Sequence, residues 1–171
     1  MKQAFSMLLC FWIIMIFGLS AEAGPQRTPI APDGETIIKF ASKKLDVQVV
    51  VKTHEVQIGK PTEKIPDIIR SSCTYSRYPC SIVDSIDITV NGKPIIVPRS
   101  VFCDLADLYV VEIEIEKKNV FMKFFGGDAS ESCNVIIESD ADRVKRRTIV
   151  GNELPDSNNK LQETIYYRQV L

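Results

Sequence analysis

The most chemically suggestive stretch of the chain is Gly126, Gly127 and Asp128 followed, after Ala129, by Ser130, Glu131 and Ser132. Two glycines permit close backbone approach, and serine hydroxyls are the nucleophiles of acyl transfer. Such a serine needs a base within hydrogen-bond reach, and the chain holds one histidine, His54. Neither serine lies in a G-x-S-x-G elbow or an S-x-x-K pairing. A hydrolase could instead work with carboxylates, setting Asp128 or Glu131 against Asp140, with one pKa raised. The simpler reading is a glycine turn whose Asp and Ser side chains bond the local backbone.

The other constellations each have an ordinary structural reading. Asp128, Glu131, Asp140 and Asp142 could converge on calcium if their turns met, but their spacing matches no calcium loop, and solvated turns are preferred. Glu112, Glu114 and Glu116 offer a row of carboxylates for glycoside chemistry, yet their alternation with Val111, Ile113 and Ile115 makes them the solvent face of a strand. Arg143, Lys145, Arg146 and Arg147 form the one basic cluster. Alternation puts Arg143, Lys145 and Arg147 on one strand face, where a charge ladder with Glu112 and Glu114 is preferred to a nucleic-acid site. His54 has no identifiable partner in the sequence. Tyr75, Tyr78, Tyr166 and Tyr167 are candidates for a recognition surface, since tyrosine contributes large contact area for little entropy.

The cysteines and the N-terminus belong to one argument. Lys2, an apolar run over 4–19 and Ala21-Glu22-Ala23 have the layout of a signal peptide cleaved after Ala23. That run is short of the ~20 residues of a membrane helix. Export to the periplasm or beyond is therefore expected, with no stable membrane insertion after cleavage. Four cysteines then meet an oxidising compartment, and the preferred pairing is Cys73–Cys80 with Cys103–Cys133. A four-thiolate zinc site is disfavoured because paired C-x-x-C knuckles are missing. No metal or other cofactor is expected. Loss of Lys2 and Glu22 together leaves the formal charge at -1, which suggests neither a nucleic acid nor an anionic membrane as partner.

Short strands must position these residues. Residues 24–35, with Pro25, Pro29, Pro32 and Gly34, read as a flexible lead-in. From Leu45 the chain alternates through Val47, Val49 and Val51, then changes parity near Thr53 so that Val56 and Ile58 carry the apolar face. Ile86, Ile88 and Val90 alternate up to Asn91-Gly92, the strongest short signal for a hairpin. Val101, Phe102, Leu105 and Leu108 suggest a short helix with Ser100 as its cap. Residues 109–116 and 120–125 form two strands about a turn at Lys117-Lys118-Asn119; Phe121 and Phe125 lie opposite Val120, Met122 and Phe124, so the second strand should be covered on both sides. Strands around 133–137, 143–150 and 163–171 follow. The result is a single mainly β domain over 36–171, an antiparallel sandwich or partly closed barrel with one short helix.

The segments Val90-Asn91-Gly92-Lys93-Pro94, Val97-Pro98-Arg99-Ser100, Asp104-Leu105-Ala106-Asp107, 126–132, 143–147 and Glu163-Thr164-Ile165-Tyr166-Tyr167 together resemble a group of small exported proteins of Gram-negative bacteria. The resemblance covers about 82–171. It implies a periplasmic or exported location and one small domain, and transfers no activity or catalytic residue. The expected function is a non-enzymatic binding or interaction domain of inhibitor, immunity or envelope-assembly type, its partner another envelope or exported protein. A hydrolase at the Gly126 turn is the rival.

Overall fold

The computed structural model describes residues 26–42, 45–57, 73–74, 79–128, 132–151 and 162–168. These residues are mostly strand and build two antiparallel sheets with no closed barrel, as expected of a mainly β sandwich. Ten strands follow in chain order: β1 Gln26–Pro29, β2 Gly34–Ala41, β3 Asp46–Val56, β4 Cys80–Val90, β5 Lys93–Ile95, β6 Leu108–Glu116, β7 Asn119–Gly126, β8 Cys133–Ser139, β9 Val144–Gly151 and β10 Gln162–Tyr166. One sheet has the order β1-β6-β7-β8-β9-β10 and the other β2-β3-β4-β5. The expected signal segment 1–23 lies outside the described residues.

Alternation determines which face each strand buries. Val47, Val49 and Val51 of β3 and Ile86, Ile88 and Val90 of β4 meet Val111 and Ile113 of β6, Val120, Met122 and Phe124 of β7, and Val135 and Ile137 of β8 in one core. Each such side chain removed from water contributes about 1.5–3 kcal/mol, so the facing sheets hold each other. β7 runs between β6 and β8, with its inner face wholly buried. Its outer face is not buried as expected. Phe121 and Phe125 are only half-buried, and Phe125 is shielded by cations, with Arg27 and Lys123 5.7 and 4.8 Å from the ring centroid.

The hairpin at Asn91-Gly92 forms as expected, with φ of 51° and 76° joining β4 to β5. The expected parity change does not occur at Thr53: β3 keeps its alternation through Val47, Val49, Val51 and buried Thr53, and the register shift there leaves the extra residue, Asp84, in β4. The lead-in departs from expectation. Gln26–Pro29 pairs with β6, Ile30 is buried, and β2 already begins at Gly34. A four-residue edge strand takes its hydrogen bonds from β6 and tolerates Pro29, and it has no periodicity of its own to announce it. The expected short helix is a single 3-10 turn, Arg99–Val101, with Pro98 rather than Ser100 at the capping position.

The basic segment is also rearranged. A register shift between Glu138 and Ser139 interrupts the pairing of β8 with β9 and reverses the expected parity. Arg146 therefore faces outward and pairs with Glu138 at 2.8 Å, whereas Arg147 is buried. Its guanidinium donates to the Ser100 carbonyl at 2.7 Å and to Asp104 Oδ2 at 2.6 Å, tying the 3-10 segment down onto the six-stranded sheet. The expected ladder to Glu112 and Glu114 is replaced: Glu112 pairs with Arg27, and Lys145 with Asp140.

Candidate functional site

Three segments distant in sequence meet at one end of the sandwich. Val56 pairs with Cys80, Ile82 bridges to Ala106, and Leu108 pairs with Gly126, so the start of β4, the entry to β6 and the end of β7 lie together. Asp107 joins them. It is 1% exposed and has φ of 49°, a left-handed conformation that aspartate tolerates better than most residues. Its carboxylate accepts the Thr74 N–H at 2.6 Å on Oδ2 and the Ser81 N–H at 2.9 Å on Oδ1. Its own backbone N–H donates to the Ser81 carbonyl at 2.6 Å, and its carbonyl accepts the Gly127 N–H at 3.3 Å. One residue thus links the disulfide segment, the sheet and the glycine turn.

Cys73 and Cys80 are bonded, as expected, and anchor both ends of the segment carrying Tyr75 and Tyr78. Cys73, Cys80, Ile82 and Ala106 form a small apolar cluster of their own beside Asp107. A carboxylate oxygen of Asp107 lies within 4.8 Å of both sulfurs, but the sulfurs are bonded to each other and that carboxylate holds backbone N–H groups. The arrangement is a structural clasp. At Gly126 a Cβ would fall 2.8 Å from Cδ2 of the Leu108 side chain and 3.5 Å from the Ala106 and Asp107 carbonyl oxygens, so a side chain there would mainly displace Leu108.

The expected second disulfide is not formed. Cys103 is exposed on the turn after the 3-10 segment, while Cys133 packs half-buried on the core at the start of β8. Both are free. Burial pushes the Cys133 thiol up, with Asp104 adding to the effect and Arg147 opposing it, so it stays protonated and is a poor nucleophile at neutral pH.

Beside the clasp lies a cleft of about 290 Å³ lined by Ile30, Pro32, Glu55, Ser81, Asp107 and Tyr109, among others. Tyr109 is 41% exposed, and Ser81 Oγ donates to the Pro32 carbonyl at 2.6 Å, fixing one wall. Tyr109 and Asp107 are the residues that sequence reasoning passed over. Asp107 stood out only as the last residue of the segment Asp104-Leu105-Ala106-Asp107; its partners are 33 and 26 residues away.

The described candidate residues divide between the two ends of the sheet. Asp128 is exposed just beyond Gly127, at the clasp end. Tyr75, Tyr78, Ser130 and Glu131 lie outside the described residues. Tyr166 pairs with Arg146 at the far end of β10 and is 69% exposed, whereas Tyr167 packs its ring against the core. Asp140 and Asp142 sit beyond the other end of β8 from Asp128. At ~3.3 Å per residue, a seven-residue strand separates the two turns by about 20 Å. Neither the calcium convergence nor the Asp128–Asp140 acid–base pair is assembled.

Asp140 serves its own turn. Burial opposes its ionisation, but the Asp142 and Arg143 N–H groups and the Lys145 ammonium outweigh that and hold its carboxyl below the usual range. A second cleft of about 470 Å³ at this end is lined by Lys117, Lys118, Asn119, Asp140, Asp142 and Lys145, among others; Lys145 pairs with Asp140 and Asp142 with Lys93.

His54 does have a partner, contrary to expectation. Its Nδ1 lies 2.8 Å from Asp84 Oδ1, with both side chains about half exposed. A histidine held by a carboxylate is half of a nucleophile-activating arrangement, but among the described residues no hydroxyl or thiol bonds its other ring nitrogen. In comparisons with family models, characterised proteins and solved structures, the chain matches none.

Proposed function

We propose that this chain is an exported, disulfide-stabilised binding domain that engages another exported or envelope protein through the clasp end. The observation that carries the reading is the Asp107 clasp: its buried carboxylate anchors the Cys73–Cys80 segment and its backbone carbonyl the entry to the glycine turn, beside a cleft edged by exposed Tyr109. Recognition residues are disproportionately found on loops held by a rigid scaffold, and tyrosine is favoured among them. Cys73 and Cys80, which flank Tyr75 and Tyr78 in the sequence, and Gly127 with Asp128, which precede Ser130 and Glu131, are among the described residues at this end. The Cys73–Cys80 bond supports an oxidising address, and with the signal-like N-terminus favours the periplasm or the exterior. The resemblance to small exported proteins of Gram-negative bacteria agrees with that address.

Affinity capture from periplasmic extract with oxidised protein 24–171 tests the reading. Near-stoichiometric recovery of one protein by the wild type, and its loss with Tyr109→Ser, is the expected result. Recovery of no partner, or equal recovery by both, overturns it.

A further inference from the structure

The four sheet edges are not alike. β1 is four residues long and contains Pro29, β5 is three residues long and contains Pro94, and β10 has five residues. Short length and proline are the usual means by which edge strands avoid pairing with other chains. β2 has neither. It runs eight residues without proline from Gly34 to Ala41, and its pairing with β3 carries no register shift. Among the described residues, no strand pairs with its other edge.

The side chains along that edge have an internal symmetry. Glu35, Ile37 and Lys39 share the outer face of the four-stranded sheet, while Thr36 and Ile38 are buried on the inner face. Ile37 is 52% exposed, one of few large apolar side chains so displayed among the described residues. If two copies of β2 pair antiparallel about a two-fold axis at Ile37, residue 37 meets itself and Glu35 of each copy meets Lys39 of the other. Thr36 and Ile38 oppose one another on the inner side. A two-fold interface requires one patch to be complementary to itself, and this edge is complementary in both charge and apolar contact. Directly opposed residues on antiparallel strands have Cβ atoms about 4.5–5.5 Å apart, within reach for an ion pair and an Ile–Ile contact. A one-residue shift of the pairing would set charges against apolar side chains and lose both.

We propose that the β2 edge is a self-association surface, on which a second copy of this chain pairs antiparallel about Ile37 and merges two four-stranded sheets into one continuous sheet. This does not depend on the function proposed above, since the β2 edge is distinct from the Tyr109 cleft. One strand edge buries less than the ~800 Å² per partner of a standard interface, so the dimer is expected to be weak and concentration-dependent.

Sedimentation equilibrium of oxidised protein 24–171, followed up to millimolar concentration, is the test. A monomer–dimer equilibrium is expected for the wild type. Ile37→Lys sets two ammonium groups together on the axis and should weaken the dimer at least tenfold; Ile37 is half in water already, so the variant should fold, which circular dichroism checks. Glu35→Lys and Lys39→Glu each create two like-charge pairs per dimer and should also weaken it. The double variant E35K/K39E restores opposite charges and should recover most of the association. Glu35 also lies 3.5 Å from Lys52 within its own chain, an exposed pair expected to matter little. A wild-type monomer at every concentration overturns the proposal and leaves the edge open to a strand of another protein. A dimer indifferent to Ile37→Lys, or single charge variants not rescued by the double, overturns it equally.

Discussion

Replacing Asp107 tests whether one buried carboxylate holds the clasp together. Asp107→Ala removes the acceptor for the Thr74 and Ser81 N–H groups, at 2.6 and 2.9 Å, in a site only 1% exposed. Hydrogen bonds to a charged group contribute about 1.5–3 kcal/mol each, so two give ~3–6 kcal/mol before relaxation. Alanine at φ 49° adds strain of roughly 1–2 kcal/mol. Water entering the cleft recovers part of this, and a net loss of about 3–5 kcal/mol is expected. Asp107→Asn separates the contributions. Asparagine accepts the left-handed backbone and keeps one acceptor, but turns an amide donor toward the other N–H, so its loss should be about half as large. Urea unfolding with the disulfide intact measures both, and amide hydrogen exchange at Thr74 and Ser81 locates the effect. A loss under ~1 kcal/mol for Asp107→Ala, or unchanged exchange at those two amides, would refute the reasoning.

Arg147 and Asp104 should respond unequally to removal. Asp104→Ala leaves a guanidinium 3% exposed without its carboxylate and should destabilise by about 3 kcal/mol, whereas Arg147→Met replaces it with an apolar chain of similar reach and leaves Asp104 partly hydrated, for a loss of about 1–2 kcal/mol; urea unfolding checks the order. For Asp140, whose folded pKa is depressed, the charged form contributes stability that is fully present above the ordinary carboxylate pKa and lost as pH falls through the lower folded value. Wild type should therefore be more stable than Asp140→Asn at neutral pH, and the difference should vanish on acidification; a constant difference contradicts the assignment. Thiol titration of oxidised protein 24–171 should find two free thiols, with iodoacetamide at neutral pH modifying exposed Cys103 before Cys133; no free thiol would mean that the two are bonded.

Local patterns disclosed the strands because a half-buried strand writes its burial into alternate residues. β3, β4, β6 and β7 were legible for that reason, and Asn91-Gly92 was legible because few dipeptides accept two positive φ angles. Bulges have no such mark. The one in β4 opposite Thr53 left the alternation of β3 intact, and the one in β9 exchanged the roles of Arg146 and Arg147 without altering the apparent alternation of the basic residues. β1 was hidden because its pairing is supplied by β6. The close pair Cys73–Cys80 was legible from its spacing, while the separate environments of Cys103 and Cys133 depend on how the 3-10 segment lies over the sheet. Of the candidate site, the sequence indicated the cysteine segment and the glycine turn. That the two share an end, and that Asp107 holds them there, is a consequence of strand order and register.

Recognition at the clasp end, as proposed, can be read out by site-specific cross-linking. A photo-reactive residue at position 109 samples the mouth of the cleft, and one at position 142 samples the opposite end of the six-stranded sheet. In an envelope extract, the account predicts a discrete cross-linked partner from position 109 and none from position 142. A partner captured from position 142 alone, or equally from both, would contradict it.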